Sequence, residues 1–205
     1  MKVLLVNGSL HEKGCTYTAL CEVEKALQAN GIETEIYWIG QNNMQGCKGC
    51  WACGKLKKCV IDDGLNEFVE KAAEFDGFVF GSPVYYASAA GAMLSFMDRV
   101  FYSGGRSLAY KPAASVVSCR RGGASTTFDV LNKYYTINNM PVIGSNYWNE
   151  VHGNKPEEVL QDEEGLQTMR VLGNNMAWVL KCIEKGKEAG IEPVKEKKVM
   201  TNFIR

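Results

Sequence analysis

Four cysteines share one short stretch, in the pattern Cys47-x2-Cys50-x2-Cys53-x5-Cys59. Four thiols in a compact loop are the ligand count of a cubane iron–sulfur cluster. Structural zinc sites more often use two separated cysteine pairs, and a set of bare thiols is the third reading. Lys48, Lys55, Lys57 and Lys58 would offset the charge of four thiolates. The other cysteines, Cys15, Cys21, Cys119 and Cys182, are scattered singly. A disulfide framework would call for an export signal. The apolar start, Val3-Leu4-Leu5-Val6, is too short for one and runs directly into Asn7-Gly8-Ser9. The expectation is a cytoplasmic, reducing setting in which the cluster of thiols is a metal or redox site.

Three further segments have ligand-binding chemistry. Asn7-Gly8-Ser9-Leu10-His11-Glu12-Lys13-Gly14-Cys15-Thr16 joins an apolar run to a helical pattern. Gly8 and Gly14 let the backbone approach an anion, and Ser9, Thr16 and the first helix amides can donate hydrogen bonds to a phosphate. The segment is neither a P-loop nor a GxGxxG fingerprint, and an ordinary turn with a threonine cap explains it equally well. Ser82-Pro83-Val84-Tyr85-Tyr86-Ala87 follows another apolar run. Two adjacent tyrosines cannot both point into a core, so ring faces or amides are offered to a planar ligand. Ser118-Cys119-Arg120-Arg121-Gly122-Gly123 follows a third run. There Gly122-Gly123 present bare amides, and an arginine can stabilise negative charge on a bound cofactor. His152, near Tyr147 and Trp148, is a candidate proton donor, although a lone loop histidine is more often structural.

These loops need elements to hold them. Residues 2–6 read as a buried strand by length and punctuation. From Thr16, Ala19, Leu20, Val23 and Leu27 recur at helical spacing up to Asn30-Gly31. Residues 32–39 form a second strand. Asp63 is expected to cap a helix with Leu65, Phe68, Val69 and Ala72 on one face. Gly77-Phe78-Val79-Phe80-Gly81 is the third strand, residues 89–101 a helix, residues 113–117 the fourth strand and residues 126–135 a helix. Pro141-Val142-Ile143-Gly144 is the expected fifth strand, and a long helix covers about residues 162–187. Strands buried on both faces and alternating with helices mean a mostly parallel sheet covered on either side. The expected fold is α/β: a flavodoxin-like three-layer sandwich with a five-stranded parallel sheet in the order 2-1-3-4-5. One domain spans residues 1–190, with a cysteine-rich insertion at 40–62 and a polar tail at 191–205.

Composition excludes several classes. Twenty-three Lys plus Arg balance 23 Asp plus Glu, so no net field draws the chain to nucleic acid or anionic lipid. No apolar run approaches the roughly 20 residues that span a bilayer. No nucleic-acid or membrane partner is expected.

The three loops resemble those of the flavodoxin-like NADPH-dependent FMN reductase family, across the whole chain. In that family the first loop holds the FMN phosphate, and the Ser-Pro-Val-Tyr segment and the loop after strand four line the isoalloxazine. The resemblance carries these roles to Ser9, Leu10, His11, Gly14, Cys15 and Thr16, then to Ser82–Ala87, then to Cys119, Arg120, Arg121, Gly122 and Gly123. Leu10-His11 stands where the family often has Pro-Arg, and Cys15 where it often has Asn. The cysteine spacing is similar to the compact motif of iron–sulfur flavoproteins in the same superfamily. That implies a [4Fe-4S] cluster on Cys47, Cys50, Cys53 and Cys59, passing single electrons to FMN. The implied function is an FMN-dependent oxidoreductase moving electrons from NAD(P)H, or through the cluster from a ferredoxin-like donor, to a small acceptor such as a quinone. An FMN and iron–sulfur electron carrier between protein partners is the alternative. Such proteins resemble homodimers or homotetramers. No catalytic side chain is expected, because the flavin carries the chemistry.

Overall fold

The structure is a computed structural model describing residues 1–40 and 44–203. Part of the expected insertion (residues 41–43) and the end of the expected tail (residues 204–205) lie outside the described residues.

β1 (Lys2–Asn7) is the axis of the fold. Its Val3, Leu4, Leu5 and Val6 are fully buried, as a strand covered on both faces requires. It pairs in parallel with β2 (Glu33–Trp38) on one side and β3 (Gly77–Tyr85) on the other. β3 pairs in parallel with β5 (Ala113–Cys119), and β5 with β6 (Glu150–His152). The parallel strands thus run β2-β1-β3-β5-β6, with the short β4 (Ser88–Ala89) folded back antiparallel onto β3. This is the flavodoxin-like order, with one added hairpin strand.

The period-two alternation of the strands divides the core. Leu4, Val6, Phe78 and Phe80 pack with α3 (Leu65–Ala72), α4 (Gly91–Leu108) and α5 (Ala124–Ile137). Val3, Leu5, Val79 and Val116 face the other way, onto α1 (Cys15–Ala29) and α7 (Glu163–Glu188). Two further helices are one turn or so long: α2 (Ala52–Leu56) and α6 (Pro156–Val159). Residues 191–203 have no regular secondary structure. Among the described residues no helix is long and apolar enough to cross a membrane.

Two expectations need correction. Residues 141–144 do not form the fifth strand. Val142 makes a single parallel bridge to Ala113, with Ile143 N–H donating to the Ala113 carbonyl at 2.9 Å. The chain then leaves the edge and returns as β6, where Val117, Ser118 and Cys119 meet Glu150, Val151 and His152. Asp63 is also not the residue that caps α3. Gly64 holds the cap position at φ +86°, and the Asp63 carboxylate, one residue earlier, pairs chiefly with Arg99 while also accepting from the Leu65 backbone N–H.

Candidate functional site

The first loop is braced from within. Asn7 is fully buried at the end of β1. Its Oδ1 accepts from Ser9 N–H at 3.1 Å, and its Nδ2 donates to the Glu12 carbonyl at 2.8 Å. Trp38, at the end of β2, donates its indole N–H to the Ser9 carbonyl at 2.7 Å. Gly8 lies so close to β3 that a Cβ there would stand 2.5 Å from Met93 Sδ and 2.8 Å from the Gly81 carbonyl oxygen. Only glycine fits. The hydroxyls of the loop already have partners: Ser9 Oγ accepts from His11 N–H at 3.1 Å, and Thr16 Oγ1 lies 2.8 Å from Ser118 Oγ. Gly14 caps α1 without a capping side chain, and no acidic residue sits in its first turn. The positive end of the helix is therefore available to an anion.

The second segment is a hairpin rather than a loop. β3 continues through Ser82 and Pro83 to Tyr85, and the chain reverses at Tyr86-Ala87 so that Val84 pairs with Ala89. Tyr86 takes φ +40° and is fully exposed. Such a conformation is costly for a bulky residue. Ser82 Oγ accepts from Ala90 N–H at 3.1 Å and donates to the Pro83 carbonyl at 3.0 Å, closing the base of the hairpin.

In the third segment, Cys119 ends β5 and Arg120, Arg121, Gly122 and Gly123 are exposed. Gly123 caps α5 at φ +89°, and a Cβ on it would meet Val84 Cγ1 at 2.9 Å. The absent side chain lets the second and third segments touch. A fourth segment closes the group: Gly153 N–H donates to the Cys119 carbonyl at 3.0 Å, and Cys15 Sγ donates to the Gly153 carbonyl at 3.6 Å.

All four segments open onto one cleft of about 710 Å³ at the carboxyl ends of the strands. Ser9, His11, Gly14, Cys15 and Thr16 line it from the first loop, Pro83, Val84 and Tyr85 from the hairpin, and Cys119 and Arg120 from the third. Leu10, Ser82, Tyr86, Ala87, Arg121, Gly122 and Gly123 are not among its lining residues. Trp38 and the Gly153-Asn154-Lys155-Pro156 turn line it without having been expected to. The Gly-Asn turn ahead of a proline at the first helical position was the available signal for that turn. Lys13, Arg120 and Lys155 stand against Glu12 on the rim, so the cleft favours an anion. Burial raises the Cys15 and Cys119 thiols above their ordinary values, so both stay protonated at neutral pH. His152 does not line the cleft; its backbone N–H donates to Asp162 Oδ2 at 2.7 Å and its ring Nδ1 lies 3.6 Å from the same oxygen.

Cys47, Cys50, Cys53 and Cys59 line one separate cavity. Cys47 and Cys50 are exposed, Cys53 and Cys59 partly buried. Asn66 pins the backbone at Cys59, accepting from its N–H at 2.9 Å and donating to its carbonyl at 3.1 Å. Trp51 and Tyr102 cover the cavity edge to face, with centroids 5.6 Å apart. Among the described residues no three His, Cys, Asp or Glu groups are gathered tightly enough for a single metal ion. The donor set suits a larger group, because a cubane spreads four thiolate ligands around its own sulfides.

The residue that organises this cavity is Arg99 of α4, whose side chain is 1% exposed. Its two terminal nitrogens reach the Asp63 oxygens at 2.6 and 2.7 Å, and it also donates to the carbonyls of Gln45 and Ile61. Its Nε points at Cys59 Sγ, 3.3 Å away. The Arg99 hydrogen bonds hold the Asp63 carboxyl below the usual carboxylate range.

A parallel sheet in this order with an anion-favouring cleft at its carboxyl edge defines a flavodoxin-like protein. Solved structures agree on the fold: RosB with a bound riboflavin-phosphate intermediate superposes with a TM-score of 0.72 at 14% identity, covering 100% of this chain and 92% of that one. A flavodoxin from the domain Archaea gives 0.61 at 15%, covering 88% and 99%. The model of the family described as NADPH-dependent FMN reductase matches residues 1–155. An iron–sulfur flavoprotein of Methanocaldococcus jannaschii is 34% identical over 193 residues, covering 90% of this chain and all of the relative. One from Methanosarcina thermophila is 29% identical over 194 residues, covering 92% and 100%. The chain belongs to the NADPH-dependent FMN reductase / iron–sulfur flavoprotein family, and in class it is an FMN-dependent oxidoreductase.

Proposed function

We propose that the chain holds FMN in the cleft between the first loop, the Ser82–Ala87 hairpin and the Cys119–Gly123 segment, and passes electrons from NAD(P)H to a small acceptor such as a quinone. The observation that carries this reading is the convergence of the four segments on one cleft of about 710 Å³, within the range of cofactor sites. The uncapped start of α1, with Lys13 and Lys155 on the rim, suits the phosphate. The wall of Pro83, Val84 and Tyr85 suits a flat ring, and Arg120 suits negative charge on it. The bound flavin supplies hydride and single-electron chemistry. The chain's own residues orient it, set its electrostatic surroundings and leave acceptor access.

The test is optical. Purified protein supplied with FMN should show flavin absorption bands and oxidise NAD(P)H with a quinone present; protein that takes up no FMN overturns the reading. Reversing Lys13 and Lys155 together to glutamate is expected to weaken FMN binding roughly tenfold or more at low salt, with the difference shrinking as salt screens the charges. Riboflavin, which lacks the phosphate, should bind both proteins alike.

The cysteine cavity extends the proposal to one [4Fe-4S] cluster on Cys47, Cys50, Cys53 and Cys59, supplied with electrons by a ferredoxin-like donor. Support comes from the four thiols sharing one cavity and from the relatives' names as iron–sulfur flavoproteins. A cytoplasmic location, which keeps these thiols reduced, and a homodimeric or homotetrameric state complete the proposal. The expected domain limits, residues 1–190 plus a tail, belong to it as well.

A further inference from the structure

Arg99 does more than its ion pair requires. Two terminal nitrogens suffice for the bidentate contact with Asp63, and that contact fixes the plane of the guanidinium. Fixing the plane also aims Nε, the one donor left on the near side, at Cys59 Sγ at 3.3 Å. The same side chain holds both flanks of the cysteine segment, through the Gln45 carbonyl before it and the Ile61 carbonyl after it. Arg99 stands on α4, which packs against the sheet through Phe96, Met97 and Val100. The cysteine-bearing segment is thus tied to a regular helix through one buried cation.

We propose that Arg99, oriented by Asp63, is a positioning residue for the cysteine site: it fixes the Cys59 sulfur and donates a hydrogen bond to it that makes a cluster bound there easier to reduce. The proposal rests on the cluster reading above. Its physical basis is that hydrogen bonds to ligand sulfurs stabilise the extra negative charge of the reduced cluster and so raise its potential. Asp63 cancels most of the long-range field of the arginine, so the effect is directional and local. Lysine cannot reproduce it, because an ammonium lacks the planar fork that engages Asp63 and Cys59 together. The step tuned is the gain of one electron by the cluster, with dithionite as reductant in the test and no atom transferred.

The experiment is an EPR-monitored redox titration of the anaerobically reconstituted full chain, beside Arg99→Lys, Arg99→Gln and Asn66→Ala. Asn66→Ala loosens the backbone at Cys59 without touching its sulfur, so it reports what loop disturbance alone does. Arg99→Lys and Arg99→Gln are expected to shift the midpoint downward by about tenfold in the oxidised-to-reduced ratio, which is 59 mV for one electron. Asn66→Ala should stay near the parent value. A parent chain that assembles no cluster sinks the underlying cluster reading. A parent that assembles one, with arginine variants sharing its midpoint or with Asn66→Ala shifting as far as they do, sinks the role given to Arg99.

Discussion

Asp63→Ala is expected to destabilise the protein by about 3–5 kcal/mol, the cost of stranding one member of a buried ion pair. The pair is asymmetric: the Arg99 side chain is 1% exposed and that of Asp63 21%. Removing the carboxylate leaves a guanidinium that cannot reach water, whereas Arg99→Met leaves a carboxylate that can. Arg99→Met should therefore cost less than Asp63→Ala, an ordering that a generic loss of packing would reverse. Urea denaturation checks it through the transition midpoint at unchanged slope. The pH dependence has a definite sign. Asp63 has a folded-state pKa below its unfolded value. Its contribution is complete above the unfolded value of about 3.9 and disappears as pH falls through the folded one. The gap between the parent and Asp63→Asn should stay level at neutral pH and close on acidification below about pH 4.

Cys53→Ala is expected to abolish cluster assembly while leaving flavin uptake intact. Cys53 sits in α2 and lines the cysteine cavity but not the cleft. Iron and sulfide assays after anaerobic reconstitution should fall from about four of each per chain, the content of one cubane, to background. The FMN absorption bands should be unchanged. Loss of both groups together would show that the two sites are not separately built.

The sheet order was legible because β1, β3 and β5 are apolar on both faces, a pattern few other environments produce. The fifth strand was not. Pro141-Val142-Ile143 looks more strand-like than Glu150-Val151-His152, yet pairing is decided by which backbone groups reach β5, and Val142 reaches it at one residue only. The cleft was legible in outline, since the first loop and the segments after β3 and β5 fall on one edge of a parallel sheet. Which side chains face it was not: Tyr86, expected at the cofactor, is turned outward by a two-residue reversal, and Trp38 of β2 lines the cleft from outside the three loops. Arg99 was invisible. The adjacent charges Asp98-Arg99 between Met97 and Val100 look like the solvated edge of a helix stripe, and only the distant Asp63 makes Arg99 a buried residue.

The divided fifth strand has a bearing on how the molecule keeps to itself. A sheet flank with a long row of free backbone groups invites another chain to add on and seeds aggregates. Here one flank is only three residues of regular strand. The other carries Glu33 and Glu35, matched to Lys2 and Lys71. One border is too short to template another chain and the ion-paired glutamates blunt the other, so association with other molecules is expected to use helices and loops rather than the central ribbon.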